Sequence, residues 1–345
     1  MLKRLLILFF SLGILINLFG QDKKEEEGSG KFSGYMFGDY YYFFDNHKPE
    51  LNDQRGIWFR RIYFTYDYKI NSSFSTRLRL EMSNEFNFEE AKTMIPFVKD
   101  AWFKYKFSSQ AFIIGISPTP TFQILEKMWG YRAVEKTPLD LQRMASSRDF
   151  GLALKGKFDE KGMFKYHIMF SNGSSNKQEI DKGKSGLLAL AFYPIKEFVI
   201  EVYGDYTDHA GSTDWYTLQV FFGYKTKTFR AGLLYADQTR QMEDVEDIKL
   251  RVASLFIVGE VSEQFSLIGR VDRNFDPNPQ GDKIAFIPFD PTAKSTFFVG
   301  GVDWHPVKQV RFIPNVEFVK YDENDEGVTP TSAIIGRITF HWLFN

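Results

Sequence analysis

From Ile334 to Phe344 the chain reads I-I-G-R-I-T-F-H-W-L-F, and Asn345 follows it. Ile338, Phe340, Trp342 and Phe344 fall on one face of an extended segment, and Arg337, Thr339 and His341 on the other. Side chains alternate across a strand with a period of two, so this is a strand with one apolar and one polar face. A single strand of this kind fits many sheets. What matters is how often the rest of the chain repeats it.

The repeat runs through the chain. Strands are expected over 31–44, 55–70, 74–84, 97–107, 111–117, 148–158, 163–172, 185–193, 198–208, 213–225, 228–240, 247–261, 265–276, 296–305, 309–321 and 332–344. Every second gap is short and built of turn residues: Asn71-Ser72-Ser73, Ser108-Ser109-Gln110, Asp159 to Gly162, Pro194 to Glu197, Thr226-Lys227, Ser262-Glu263-Gln264 and Pro306-Val307-Lys308. The other gaps are longer polar loops. About sixteen strands result, with both ends on the short-turn side, which is the pattern of a transmembrane antiparallel β-barrel. Fourteen or eighteen strands remain compatible with it. The predicted fold class is therefore all-β.

Charge and aromatic placement favour a membrane. Arg77, Arg79 and Glu81 alternate with Leu78, Leu80 and Met82. Turning that strand over would put both arginines into lipid, at about 2–4 kcal/mol each at the midplane. Aromatics gather at strand ends: Phe107 with Phe112, Phe158 with Phe164, Tyr193 with Phe198 and Tyr224 with Phe229 beside the short turns. Tyr40 to Phe44 and Trp58-Phe59 sit at the long-loop end. Two ring belts are what two membrane interfaces call for.

Composition agrees. The 345 residues carry a formal net charge of -1, which argues against nucleic acid, and no cysteine, which removes disulfides and thiol chemistry. Aromatics are 17% of the chain, with 37 Phe and 17 Tyr, yet mean hydropathy is below zero. Alternating strands satisfy both facts; membrane helices do not. At the N-terminus, Lys3 and Arg4 precede an apolar run from Leu5 to Leu15. Residues 1–20 read as a signal peptide, 21–30 as a short disordered leader, and 31–345 as the barrel. Gln21 stands where a lipid anchor would need cysteine.

The loop 117–147 is too long to be idle. Thr119-Pro120 and Thr137-Pro138 each read as a helix cap followed by a first-turn proline, and Gly130 as a helix end. Leu125, Met128, Trp129, Leu141 and Met144 give the two short helices apolar faces. Folding into the lumen would bury those faces and narrow a pore; capping the outer rim is the other arrangement.

Several segments resemble the phosphate-selective porin O and P family: Arg60-Arg61, Val98-Lys99-Asp100-Ala101-Trp102, Gly115-Ile116-Ser117-Pro118, Ser147-Arg148-Asp149-Phe150-Gly151 and Phe170-Ser171-Asn172-Gly173. The closing strand resembles the final strand of bacterial outer-membrane barrels, which their assembly machinery reads. The resemblance implies a trimeric sixteen-stranded porin in the outer membrane, surrounded by lipid and lipopolysaccharide, with arginines and lysines along an anion path.

Requiring apolar neighbours to face lipid puts Arg61, Arg77, Arg79, Lys104, Arg251 and Arg337 on the lumen wall, and the loop adds Lys127, Arg132, Arg143 and Arg148. Basic residues modestly outnumber acidic ones on that wall, which raises the local anion concentration. The expected function is passive diffusion of small hydrophilic solutes or inorganic anions with weak anion selectivity. A plugged-lumen transporter and an outer-membrane enzyme or adhesin are the alternatives. No P-loop, nucleophile elbow, zinc or dinucleotide motif occurs, so no cofactor is expected. His47, His167, His209, His305 and His341 lack metal-ligand spacing. Asp322 to Gly327 begins like a calcium loop but reaches Ala333 at the twelfth position. Acidic residues there and at Glu243 to Asp247 are candidates for cation bridges to lipopolysaccharide.

Overall fold

Sixteen antiparallel strands close into one barrel. The computed structural model describes residues 28–344, apart from 84–87, 89–90, 181, 210 and 212. The strands are β1 (Ser29–Asp45), β2 (Arg55–Lys69), β3 (Phe74–Ser83), β4 (Ile95–Phe107), β5 (Gln110–Pro118), β6 (Arg148–Lys157), β7 (Phe164–Ser171) and β8 (Ser185–Ile195). They continue as β9 (Phe198–Thr207), β10 (Trp215–Lys225), β11 (Phe229–Arg240), β12 (Ile248–Glu260), β13 (Phe265–Asn274), β14 (Ser295–Val307), β15 (Val310–Tyr321) and β16 (Ala333–Phe344). Every expected strand is present, with each end displaced by at most two residues. The signal peptide expected over 1–20 lies outside the described residues, as does most of the leader; Ser29 and Gly30 already belong to β1.

The closing stretch is the seam. β16 pairs with β1 from Gly34 opposite Phe344 to Tyr42 opposite Gly336, so the sheet has no free edge. Outward-facing side chains form an apolar exterior, including Ile338, Phe170, Ile168, Leu255 and Ile257. An apolar surface this continuous is what a bilayer requires and what water penalises. Rings cluster at the short-turn end: Phe164 stacks on Phe192 at 4.6 Å, and Phe340 on Trp342 at 5.0 Å. At the other end the expected belt is divided. Tyr40 and Phe44 face out, whereas Tyr41 and Phe43 are buried inside and Trp58 packs on Tyr41 at 4.5 Å. Strand alternation alone splits that run, so Trp58 belongs to the interior.

Inside, the two halves of the wall differ. From β9 to β16 the inward face holds a large apolar cluster, with Phe221, Phe256, Phe297, Val299 and Ile335 among its members, beside buried polar residues such as Gln219, Arg270, Asp272 and Glu317. Two loops fold in to cover them. One joins β5 to β6 and carries α1 (Gln123–Trp129) and α2 (Pro138–Leu141); the other runs from 275 to 294. Leu125, Trp129, Leu139 and Leu141 from the first loop and Ile284, Ile287 and Phe289 from the second are buried against that wall. Each such side chain contributes about 1.5–3 kcal/mol on full burial. Helices this short have no stability of their own, so this packing holds them.

The helix ends depart from the sequence reading in one respect. Gly130 does close α1, with φ 71 and its N–H on the Glu126 carbonyl. Neither threonine caps a helix, however. Phe122 sits at the N-terminus of α1, and Thr137 at that of α2 makes no side-chain cap. The Thr119 hydroxyl instead donates to the Ser146 carbonyl at 2.8 Å, cinching the base of the loop.

Candidate functional site

β2 to β7 present charge to the lumen, and two bulges concentrate it. Between β1 and β2, Phe37 pairs with Arg61 but Gly38 pairs with Phe59, leaving Arg60 as the extra residue. Between β3 and β4, Arg79 pairs with Asp100 and Leu80 with Val98, leaving Lys99 extra. A bulge turns two successive side chains to one face. Both Arg60-Arg61 and Lys99-Asp100 therefore point inward. Strict alternation had placed only Arg61 and Asp100 there, but adjacent charges inside a strand are a legible sign of such a bulge.

Arg61 pairs with Glu81, and Lys99 Nζ reaches the same carboxylate at 3.0 Å. Asp100 receives Arg148, Arg79 at 3.5 Å and Arg77 at 3.7 Å. Arg77 also holds Asp67 in a fork of 2.7 and 2.8 Å. Cations thus outnumber the carboxylates they bind. Arg77 and Lys104 both lie over the Trp102 ring, at 5.5 and 5.2 Å. Facing this wall across the lumen, Arg132 bridges Glu126 at 2.8 Å and Asp140 at 2.9 Å. Burial pushes the Lys136 ammonium down to about 8 against the pull of Asp140. Burial works to raise the Asp140 carboxyl, but Arg132, Lys136 and Arg61 bring it below its usual range.

Two cavities meet here. The outer one, about 480 Å³, is lined by Arg61, Lys99, Lys136 and Arg143. The inner one, about 500 Å³, is lined by Tyr35, Phe37, Lys127 and Arg311. Thr119, Arg132 and Ser147 border both, so the two cavities adjoin at Arg132. A third cavity of about 460 Å³ lies at the short-turn end beneath α1 and contains Lys104, Lys106, Lys155, Lys157 and Lys165. None of these five makes an ion pair among the described residues.

Most expected pore residues border these cavities, with distinct surroundings. Arg61, Arg132 and Arg148 flank that junction, Lys104 faces the lysine cavity and Lys127 the inner one. Arg143 lines the outer cavity but is pinned to the second loop, through Gln280 at 3.1 Å and the Lys283 carbonyl at 2.9 Å. Arg337 is a correction. It is buried between Asp39 and Glu317, both at 3.2 Å, and donates to the Phe286 carbonyl, so it clamps a loop to the seam and lines none of these three cavities. Arg251 is another. It faces outward at the long-loop rim and pairs with Asp276 at 2.7 Å. Arg60, which the alternation hid, fastens the first loop: it donates to the Val134 carbonyl at 2.6 Å and to Glu135 at 3.2 Å, with Asp39 at 3.4 Å behind it. At the acidic loop, Asp322 is paired with Arg273.

Neither a family model nor a curated protein sequence matches this chain. Solved structures do. OmpT of Vibrio cholerae is 13% identical with a TM-score of 0.64, over 94% of this chain and 100% of its own. An anion-selective porin from Comamonas acidovorans is 11% identical with a TM-score of 0.66, over 92% and 100%. OmpF of Salmonella typhi, solved with daunomycin, is 12% identical with a TM-score of 0.64, over 93% and 100%. Identities this low carry the fold alone. Fold and apolar exterior together make this an outer-membrane barrel.

Proposed function

We propose that the chain is an outer-membrane porin, a homotrimer that passes small hydrophilic solutes passively with a weak preference for anions, phosphate among them. The observation that carries the anion preference is the set of five unpaired lysines behind a constriction whose cations outnumber its carboxylates. A positive lining between low-dielectric walls concentrates anions, and salt screens it, with a Debye length of about 10 Å at 0.1 M. In this reading lipid and lipopolysaccharide contact the exterior, the assembly machinery reads β16, and residues 1–20 are removed on export. The protein acts without chemistry or cofactor.

The test is the reversal potential across a planar bilayer under a KCl gradient. Chloride should carry more current than potassium, and a cation-selective sign would overturn the reading. The two inward loops favour a narrower variant of it, a channel for particular solutes. Liposome swelling with sugars of graded size separates the two: a sharp cut-off supports the narrow channel, a gradual one the general porin.

A further inference from the structure

The trough over β8 holds chemistry that an unselective anion path does not need. Its floor is bare, because β8 presents Ala189 and Ala191 inward there. On one side Lys157 stands directly opposite Lys165, and Lys155 opposite His167. Like charges set cross-strand repel one another. No carboxylate of the described residues relieves them: Lys165 lies 4.3 Å over the Tyr193 ring, and Lys157 donates to the Glu160 carbonyl. On the other side is Glu201, 2% exposed, whose Oε1 has no hydrogen-bond partner. His167 is buried as well, with Nε2 unpartnered and Gln123 Nε2 lying 3.0 Å from its Nδ1. If Gln123 donates there, Nε2 carries the proton and is a free donor.

Leaving a buried carboxyl and a buried imidazole N–H unsatisfied is costly, and apolar side chains would have filled the trough without that cost. The register runs Lys165, Ala191, Glu201 across three neighbouring strands. Two strand spacings put the Glu201 backbone about 10 Å from that of Lys165 across the sheet. Two extended residues span about 7 Å, and the side chains close the remainder. Resting on the porin reading, the geometry points to a solute subsite in this trough for short zwitterionic organic acids of dipeptide size. Lys157 and Lys165 take the carboxylate, His167 Nε2 donates to the peptide carbonyl, and Glu201 accepts from the ammonium.

Calorimetric titration of the full-length refolded barrel tests this with three probes: glycylglycine, its N-acetylated form and inorganic phosphate. Glycylglycine should bind at least about tenfold tighter than the acetylated peptide, since only it presents an ammonium to Glu201. Glu201→Gln should abolish that preference and leave phosphate binding intact, while K157Q/K165Q should weaken all three. Equal binding of both peptides to the wild type, or a preference that survives Glu201→Gln, would overturn the subsite. Ala191→Leu, which fills the floor, serves where Glu201→Gln does not fold; undiminished glycylglycine binding there also overturns it. A cation-selective reversal potential beside intact glycylglycine preference would sink the anion reading and spare the subsite. Anion selectivity without that preference does the reverse.

Discussion

The inner faces of β2–β7 and of β10–β16 follow the same alternation and meet opposite surroundings. The first faces water and carries paired and unpaired cations; the second is covered by two loops and sets a large apolar cluster around buried ion pairs such as Arg270 with Asp272 and Arg337 with Glu317. Alternation therefore fixes which side chains point inward, and the loops decide whether inward means wet. It also explains why register is more secure on some strands than on others. Inverting β3 would drive Arg77 and Arg79 into lipid, whereas β12 carries Val252, Phe256 and Val258 inside and Leu255 and Ile257 outside, so its two faces differ little in transfer cost.

Substitutions should separate the halves. Trp129→Ala empties a fully buried site between α1 and Phe256 and should cost about 3–5 kcal/mol in a urea titration of the folded barrel. Arg79→Ala, on the wet wall, should leave stability nearly unchanged, because Asp100 keeps Arg77 and Arg148. Similar losses for both would erase the distinction. Arg60→Ala orphans Glu135 and two loop carbonyls, a loss of roughly 2–3 kcal/mol. It should also raise single-channel current noise as the first loop loosens, and a quiet channel would place the hold of that loop elsewhere.

Smaller effects belong to the wet wall. Neutralising Lys155, Lys157 and Lys165 together should remove about half of the anion preference in reversal-potential measurements and leave the unfolding midpoint in place. The smallest expected change is with pH. Lys136 is charged below about 8, so raising pH from 7 to 9 removes one lumen cation and should lower anion preference slightly. Lys136→Arg should hold that preference flat over the same range. A decline that persists in the arginine variant would assign the titration to another group.

The strands were legible because alternation, turn residues and loop lengths are all local signals. The candidate site was legible only in part. Arg77 and Arg79 stand on β3, whose charged and apolar residues alternate without interruption. Arg60 and Lys99 were hidden because a bulge is a property of two strands together, visible in one only as a pair of adjacent charges. Arg337 was misplaced for a different reason. Inward direction is local information, but the loop of Phe286 that covers it is 51 residues away in sequence. The lysine cavity was legible on β4, where Lys104 was placed on the wall, but not on β6 and β7, whose Lys155, Lys157 and Lys165 only the folded sheet brings beside it.

The Arg337 clamp bears on how the chain assembles. It joins the last strand to Asp39 on the first, so this ion pair exists only once the ring has shut. Residues 34 and 344 meet across the seam, and nearly the whole chain must be in place before they can. Contacts of such long range form slowly, because loop closure is unfavourable until the rest of the sheet is made. Until then the nascent barrel has two unpaired edges and a buried-to-be arginine still in water. Closure satisfies all three at once, which makes the final step of folding the one that commits the barrel.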